Sequence, residues 1–390
     1  MPIQQLKFTD ALTQIIATPS ISCVNPAIDQ TNRPVIELLA NWLSDYGFAV
    51  ELMPIENHPG KLNLIACLGR GEGGLVLSGH TDTVPCNESH WGQDPFKLTE
   101  KDNKFYGLGV SDMKNFFPIV LDVLNGLDIK NPKQPIYILA TADEESNMSG
   151  ARALVDSGHK LGRYALIGEP TGLSPIYMHK GVLMESIRLT GKAGHSSNPA
   201  LGNNALEGMY RVIQALILWR EELQHQHQND AFEIPIPTLN FGSIHGGDNP
   251  NRICAECVLS LDMRLLPGME LEQTRKVLHD VARKAVAHTG LDIEMESFFD
   301  GVPSMYTSPQ SEVVRLAEKL SGHTAGSVAF GTEASYLNAM GMETVILGAG
   351  NIDQAHQANE YLEMSRIEPM KQIVGKMIQH FCLEEMKHVS

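Results

Sequence analysis

At 390 residues the chain is longer than one hydrophobic core usually supports, which predicts two domains. A hydrophobic share of 43% and a charged share of 19% are ordinary for a globular protein, and a net charge of −16 argues against nucleic-acid binding. No apolar run approaches the roughly 18 residues of a membrane helix, and the first residues lack a signal peptide's basic-then-apolar order. We therefore expect a cytoplasmic protein.

The first 170 residues alternate between helical and strand patterns. A turn-rich stretch, Trp91–Phe105, interrupts them and is expected to be a surface excursion. Such alternation predicts an α/β domain with a mostly parallel sheet flanked by helices. The expected helices are 3–17, 31–47, 114–127 and 148–157, and the expected strands are 62–68, 75–77, 136–141 and 164–168.

After Lys180 the pattern changes to the order β-α-β-β-α-β, which predicts a ferredoxin-like α+β domain. Its expected bounds are 182–293, inserted into a discontinuous domain made of 1–181 and 294–390. Helices 311–321 and 364–387 should cover the first domain. The expected elements of the insert are strands 182–191, 237–244, 252–265 and 291–296 and helices 203–224 and 270–288.

Several expected strands end in residue types that bind metals. In a parallel sheet, ligands lie beyond the carboxyl ends of the strands, so these side chains should meet at one edge. We expect a two-metal site there. The residues are His80 and Asp82 after strand 75–77, Asp112 in a glycine-rich turn, Asp143–Glu145, Glu169, and His356 after strand 344–348.

Imidazole nitrogen and carboxylate oxygen suit divalent metals such as zinc or cobalt, and two such ions can activate a water and polarise a carbonyl. Glu144 and Glu145 are adjacent, so their side chains should diverge: one can bind a metal while the other acts as general base. Asp82 is spaced to accept the second ring N–H of His80, although it could also be an ordinary turn residue.

The ordered set of motifs resembles the M20 metallopeptidase/deacylase family. Nearly the whole chain is covered, and segments such as YILATADEES and LDMRLLPGM are most similar to the branch that deacetylates acetylornithine. The resemblance implies a zinc-exopeptidase-like catalytic domain with an inserted lid and dimerisation domain. The motifs are His80-Thr81-Asp82, Asp112-Met113-Lys114, Asp143-Glu144-Glu145, Gly168-Glu169-Pro170 and Ala355-His356.

The same resemblance implies a role for each site residue. Glu144 would be the general base, Asp82 the partner of His80, and the Asp112–Met113 peptide bond would be cis. Two divalent ions, Zn²⁺ and/or Co²⁺, would be bound. Their ligands would be His80 and Glu169 for one ion, Glu145 and His356 for the other, and Asp112 as the bridge.

In the insert, Gly194-His195-Ser196-Ser197 is similar to a motif whose histidine reaches the partner subunit's site and stabilises an oxyanion. Asn251 and Arg252 would bind substrate, because a fork-shaped guanidinium suits an α-carboxylate. These roles imply a homodimer. Without the resemblance, His195 would be interpreted as a loop histidine and Arg252 as a charge at a strand edge.

The expected function is removal of the acetyl group from N2-acetyl-L-ornithine. Alternatives within the family are hydrolysis of succinyl-diaminopimelate, acetylcitrulline or other N-acyl amino acids, and carboxypeptidase activity. A binding protein that kept the fold but lost catalysis is a different class, and it could dispense with Glu144 or a metal ligand. This chain retains both.

One position departs from the family pattern close to the expected bridge. Asn115 follows Asp112-Met113-Lys114 where the family usually has glycine. Asparagine tolerates a left-handed backbone better than other residues with a side chain, so we expect the turn to be retained.

Overall fold

The computed structural model describes residues 6–384. In this range the α-helices are α1 (Phe8–Ile16), α2 (Arg33–Asp45), α3 (Phe116–Asn125), α4 (Ser149–Asp156), α5 (Ala205–Gln226), α6 (Leu271–Val286), α7 (Glu312–Ser321), α8 (Ala334–Ala339) and α9 (Ile367–Ile378). The strands are β1 (Ala49–Pro54), β2 (Leu62–Leu68), β3 (Leu75–His80), β4 (Thr99–Lys101), β5 (Lys104–Tyr106), β6 (Ile136–Thr141), β7 (Tyr164–Ile167), β8 (Ile176–His179), β9 (Gly181–Thr190), β10 (Thr238–Gly246), β11 (Glu256–Leu265), β12 (Asp292–Ser297), β13 (Met305–Tyr306), β14 (Gly326–Val328), β15 (Glu343–Ile346) and β16 (Tyr361–Glu363).

The chain divides into two compact units. The second comprises Met178–Tyr306 and Ser327–Thr332, and the first comprises the remaining described residues. The second unit extends beyond the expected bounds 182–293, because strand β12 continues to pair with β9 as far as Ser297. Segment 327–332 was not anticipated, since it is too short to carry a pattern of its own.

The first unit is built on a sheet with the order β1-β2-β6-β3-β7-β15, followed by the start of β8. The four strands β6, β3, β7 and β15 are parallel to one another, whereas β1, β2 and β8 pair antiparallel. Every residue of β3 and β7 is buried, as expected where helices cover both faces of a parallel sheet. The predicted mostly parallel α/β sheet is therefore confirmed.

Two local features were not predicted. Strands β2 and β3 follow one another in the chain but do not pair, because β6 lies between them. The stretch Trp91–Phe105, expected as a surface excursion, contains β4 and the first part of β5, which form a hairpin whose turn residues Asp102 and Asn103 both have positive φ. Three-residue strands are too short to give a recognisable period.

The helices of the first unit follow the predicted apolar periods with small shifts at their ends. Helix α1 buries Phe8, Leu12 and Ile15, while residues 3–5 of the predicted helix lie outside the described part. The predicted helix 364–387 begins at Ile367, after a 3₁₀ turn, and continues beyond α9 as a π-helical turn over Gln379–Leu383. Residues 385–387 are outside the described range.

The second unit has the order β9-α5-β10-β11-α6-β12, and its antiparallel sheet has the strand order β10-β11-β9-β12. Buried and partly exposed residues alternate along β11, because one face of the sheet is covered by the two helices. The predicted ferredoxin-like insert is therefore confirmed. Between residues 6 and 384, no helix is long and apolar enough to cross a membrane.

Candidate metal centre

Parallel pairing brings the predicted ligands to one edge of the sheet. His80 is the last residue of β3, and its neighbours in the sheet are β6 and β7. Glu144 and Glu145 follow the end of β6, and Glu169 follows the end of β7. Since the carboxyl ends of parallel strands share an edge, residues nearly 90 positions apart in sequence become neighbours.

Two glycines at these strand ends leave room for the loop that carries Asp112. A Cβ atom on Gly79 would lie 2.5 Å from Cε of Met113, and one on Gly168 would lie 2.2 Å from Cγ of Phe116. A side chain at Gly168 would displace Phe116 at the start of α3, whereas one at Gly79 would require the flexible end of the Met113 side chain to move. The Asp112–Met113 peptide bond is cis, as the resemblance implied.

Asp112 lies between the two histidines. Its Oδ1 is 3.1 Å from Nε2 of His80, and its Oδ2 is 3.6 Å from Nε2 of His356. The Nε2 atom of His356 also lies 2.9 Å from Oε2 of Glu145, and that of His80 lies 4.0 Å from Oε2 of Glu169. Each carboxylate oxygen of Asp112 thus faces a different imidazole, which is the arrangement that a bridging ligand requires.

The second nitrogen of His80 faces Asp82. Nδ1 lies 3.1 Å from the backbone carbonyl oxygen of Asp82 and 3.6 Å from its carboxylate Oδ1. The other carboxylate oxygen of Asp82 accepts a hydrogen bond from the backbone N–H of Glu145 at 3.0 Å. Asp82 therefore contacts both the His80 ring and the loop that carries Glu144 and Glu145.

Mutual repulsion and burial dominate the electrostatics of this edge. Burial and then the charge of Glu169 raise the pKa of Glu144 well above its ordinary value. Burial and then the charge of Asp112 do the same for Glu169 and, to a smaller extent, raise the pKa of Glu145. The hydrogen bond with Glu145 raises the pKa of His356 to about 9.

These residues fit divalent metal ions. His80, Glu144 and Glu169 form one group whose possible ligand atoms all lie within 4.8 Å of one another, and His80, Asp112 and Glu145 form another. The buried Oε1 of Glu169 has no hydrogen-bond partner among the described residues. A cation would bind such a free acceptor and relieve the repulsion between neighbouring carboxylates.

Asp143, which precedes the glutamate pair, belongs to a different network. It accepts hydrogen bonds from Ser22 at 2.8 Å and Ser149 at 2.9 Å, and its Oδ1 lies 2.6 Å from Nζ of Lys61. Lys61 also contacts Asp29 at 2.8 Å. Asp143 is thus balanced by a buried lysine, which sequence reasoning missed because Lys61 lies 82 positions away.

Two further buried glutamates were missed. Glu333 accepts a hydrogen bond from Oγ1 of Thr141 at 2.8 Å, and burial raises its pKa to about 7. Glu360 accepts hydrogen bonds from backbone amides of the Asp112 loop, and burial raises its pKa to about 8. In the sequence each is a single acidic residue that does not follow a predicted strand.

The backbone of Asn115 does not have the left-handed conformation that was considered for this position. Its φ of −60° is right-handed, so no glycine-like conformation is needed there. Its side-chain amide donates a hydrogen bond to the carbonyl oxygen of Ser111 at 3.1 Å. The asparagine therefore holds the turn before α3 through a side-chain contact that glycine lacks.

The remaining predicted site residues lie in the second unit and are close to one another. His195 and Arg252 form an isolated antiparallel β-bridge, and the N–H of Ser196 donates to the carbonyl oxygen of Asn251 at 3.0 Å. The His195, Asn251 and Arg252 side chains are exposed, and Arg252 forms an ion pair with Asp248 at 2.7 Å.

A parallel sheet whose strand ends collect two imidazoles and several carboxylates is typical of metal-dependent hydrolases. The chain belongs to the peptidase family M20/M25/M40, whose sequence pattern matches residues 76–380. The predicted family is confirmed.

Relatives match over almost their full length. The chain is 46% identical to the acetylornithine deacetylase of Proteus mirabilis over 385 residues, covering 99% of each chain. It is 45% identical to that of Pasteurella multocida, covering 96% of this chain and 98% of the relative. Among solved structures, an M20 family metallo-carboxypeptidase from Sulfolobus solfataricus shares the fold, with a TM-score of 0.75, 20% identity and coverage of 95% and 98%.

Proposed function

We propose that the chain hydrolyses N2-acetyl-L-ornithine to ornithine and acetate, a reaction that would serve arginine biosynthesis. The observation that carries the proposal is Asp112, whose two carboxylate oxygens face His80 and His356. The choice of substrate rests on the full-length similarity to proteins named acetylornithine deacetylase.

Two divalent ions, Zn²⁺ and/or Co²⁺, would be held at this site. The ligands would be His80 and Glu169 for one, Glu145 and His356 for the other, and Asp112 between them. When bound, such ions lower the pKa of water and polarise a substrate carbonyl. Asp82 would keep the His80 ring oriented, a role supported by its contacts with Nδ1 of that ring.

Glu144 would be the general base. It would take a proton from the attacking water and deliver it to the departing α-amine, so that the amide C–N bond breaks without forming an amide anion. Two observations support this role: Glu144 lies in the cluster with His80 and Glu169, and its pKa is raised. A raised pKa suits a carboxylate that must both accept and return a proton near neutral pH.

The second unit would supply substrate contacts and the dimer interface. Arg252 and Asn251 would bind the α-carboxylate, and His195 would donate to the oxyanion in the site of the other subunit. Their exposure and mutual proximity support a shared role.

A homodimer through the second unit is supported by its surface. Leu206, Tyr210 and Leu218 are 44%, 66% and 61% exposed at helical spacing along α5, and β10 is an edge strand. Exposed apolar side chains beside an unpaired strand edge are typical of association surfaces. We further propose a cytoplasmic enzyme whose partner is a small N-acyl amino acid, with neither nucleic acid nor membrane bound.

The test is a hydrolysis assay on metal-replete protein before and after chelation. N-acetylornithine is compared with succinyl-diaminopimelate, acetylcitrulline and acetylmethionine. We expect chelator-sensitive turnover with the highest kcat/KM for N-acetylornithine. Preference for another acyl amino acid would overturn the substrate, and turnover that survives complete metal removal would overturn the mechanism.

A further inference from the structure

Glu360 makes an unusual set of hydrogen bonds with the loop that carries Asp112. Its Oε2 accepts from the backbone N–H of Gly109 at 2.8 Å, and its Oε1 accepts from those of Ser111 at 2.6 Å and Asp112 at 3.0 Å. The side chain is 2% exposed. One buried carboxylate thus accepts hydrogen bonds from three backbone amides of the loop segment 109–112.

The same residue lies four positions after His356. Its backbone carbonyl accepts from the N–H of Gly107 at 3.2 Å, and the next residue, Tyr361, pairs with Tyr106 as β16 joins β5. Glu360 therefore fastens the Asp112 loop to the segment that carries His356. Two candidate metal ligands that are far apart in sequence are held by one side chain.

The bridging geometry of Asp112 depends closely on the orientation of its backbone. Its two carboxylate oxygens face different imidazoles at 3.1 Å and 3.6 Å, so a small rotation of its backbone would move both oxygens away. The amide of Asp112 itself is one of the three that Glu360 binds. Hydrogen bonds from residues that do not themselves bind the metal fix the orientation of its ligands and typically contribute about 10–100-fold to metal affinity.

Burying a carboxylate is unfavourable unless its oxygens are well satisfied. Within residues 6–384, Glu360 accepts no hydrogen bond from a lysine or arginine side chain. The nearby Lys114 donates instead to the carbonyl oxygen of Thr18 at 2.9 Å. A neutral side chain would fill the same space at lower cost. The carboxylate is therefore better explained by what its two oxygens do for the loop than by packing.

We propose that Glu360 is a positioning residue for the metal centre, holding Asp112 in the bridging orientation before any ion binds. The inference rests on the dimetal site of the proposed function but not on the identity of the substrate.

The first test measures metal affinity in Glu360→Gln. Glutamine keeps one acceptor oxygen and the size of the side chain, but its NH₂ group faces the N–H of an amide that the second carboxylate oxygen had bound. Zn²⁺ affinity is measured by competition with a chromophoric chelator, with circular dichroism to verify the fold. We expect affinity to fall about 10–100-fold and the visible spectrum of the Co²⁺-loaded protein to change.

Glu363→Gln is the matched control. It removes a carboxylate three residues further on, which is paired with Arg366 at 3.0 Å and is 38% exposed. Its Zn²⁺ affinity should equal that of the wild type. A folded Glu360→Gln variant with wild-type affinity and an unchanged Co²⁺ spectrum would overturn the inference. A wild type that binds no metal would overturn the proposed site itself, and with it this inference.

A second measurement needs no variant and so holds even if Glu360→Gln fails to fold. Amide hydrogen exchange is recorded on metal-free wild-type protein. We expect the amides of Gly109, Ser111 and Asp112 to exchange at least about tenfold more slowly than in an unfolded peptide, because the carboxylate binds them without metal. Exchange at the unprotected rate would show that the loop is not held in advance and would overturn the proposal.

Discussion

Buried carboxylates are treated differently in the two units. In the second unit, fully buried Glu185 is balanced by Arg275 and His279, each at 2.9 Å, and by a hydrogen bond from Ser297 at 2.7 Å. In the first unit, half-buried Glu144 and buried Glu169 lie among other carboxylates that raise their pKa values. In the second unit the cationic partners surround a single carboxylate, whereas at this edge of the first unit the two histidines do not offset all of the carboxylates, whose pKa values stay raised.

The same contrast occurs within one loop of the first unit. Asp143 is neutralised by Lys61 at 2.6 Å, while the two residues that follow it, Glu144 and Glu145, have raised pKa values. A balanced carboxylate stabilises the fold, and an unbalanced group of carboxylates is a place for an ion and for proton transfer. This difference predicts which substitutions change activity and which change stability.

The largest effect should come from Glu144→Gln. We expect hydrolysis of N-acetylornithine to fall about 10²–10⁴-fold, because the general base is lost, with metal content unchanged. Activity and bound metal are measured on the same samples. Glu56→Gln, on an exposed glutamate of the same unit, should leave both unchanged.

The Glu144→Gln substitution should lower activity without lowering the stability of the fold. A carboxyl whose pKa is raised by folding disfavours the folded state above its ordinary pKa, where the unfolded chain is ionised. In metal-free protein near pH 7, the free energy of unfolding should therefore stay equal or rise. A marked loss of stability would place Glu144 with the balanced carboxylates and break the comparison.

Next in size is Glu185→Gln, which leaves Arg275 and His279 without their buried partner. We expect the free energy of unfolding to fall by about 3–5 kcal/mol, measured by urea denaturation, with Zn²⁺ content unchanged. The matched control is Glu272→Gln, which removes a 74% exposed partner of the same Arg275 and should cost at most about 1 kcal/mol. Equal losses in the two variants would contradict the role assigned to burial.

Adding metal should stabilise the unbalanced edge. At free Zn²⁺ of about 100 times the dissociation constant, the free energy of unfolding should rise by about 2.7 kcal/mol. The shift is measured by thermal unfolding of chelated and Zn²⁺-loaded protein. It should be much smaller in Asp112→Asn, because the proposed bridge then loses its charge. An equal shift in that variant would place the ion elsewhere.

The smallest predicted effect concerns a buried imidazole without carboxylate partners. Within residues 6–384, the ring nitrogens of His179 hydrogen-bond with the carbonyl oxygen of Lys180 and the backbone N–H of Thr332. Burial lowers the pKa of His179 to about 4, whereas the hydrogen bond with Glu145 raises that of His356 to about 9. The His179 imidazole takes up a proton near pH 6.5 in the unfolded chain but only near pH 4 in the folded chain. The free energy of unfolding therefore falls as the pH falls from 6.5 towards 4.

For His179 this linkage amounts to about 1 kcal/mol between pH 7.5 and pH 5.5. Urea denaturation at both pH values measures it, and His179→Gln should lose this part of the pH dependence. His323→Gln, on an exposed histidine, should keep it. An unchanged pH dependence in His179→Gln would show that His179 is not held neutral.

Many strands and helices could be predicted from the sequence because each has its own hydrophobic periodicity. The β-α-β-β-α-β order of the second unit follows from alternation along β9 and β11 and from the apolar face of α5. The short strands β4, β5 and β16 were not readable, because three residues carry no period. Their pairing is what brings the Glu360 segment to the Asp112 loop.

The sequence by itself determined the family, the order of most of the longer strands and helices, and the residue types at the strand ends. Ligand types at the ends of parallel strands must meet, whatever the loops between them do. Only the tertiary structure decided which carboxylates are balanced: Lys61 with Asp143, Arg275 with Glu185, and Glu360 with three amides. These partners are 82, 90 and about 250 residues apart in the sequence, and contacts between residues so far apart leave no local sequence pattern.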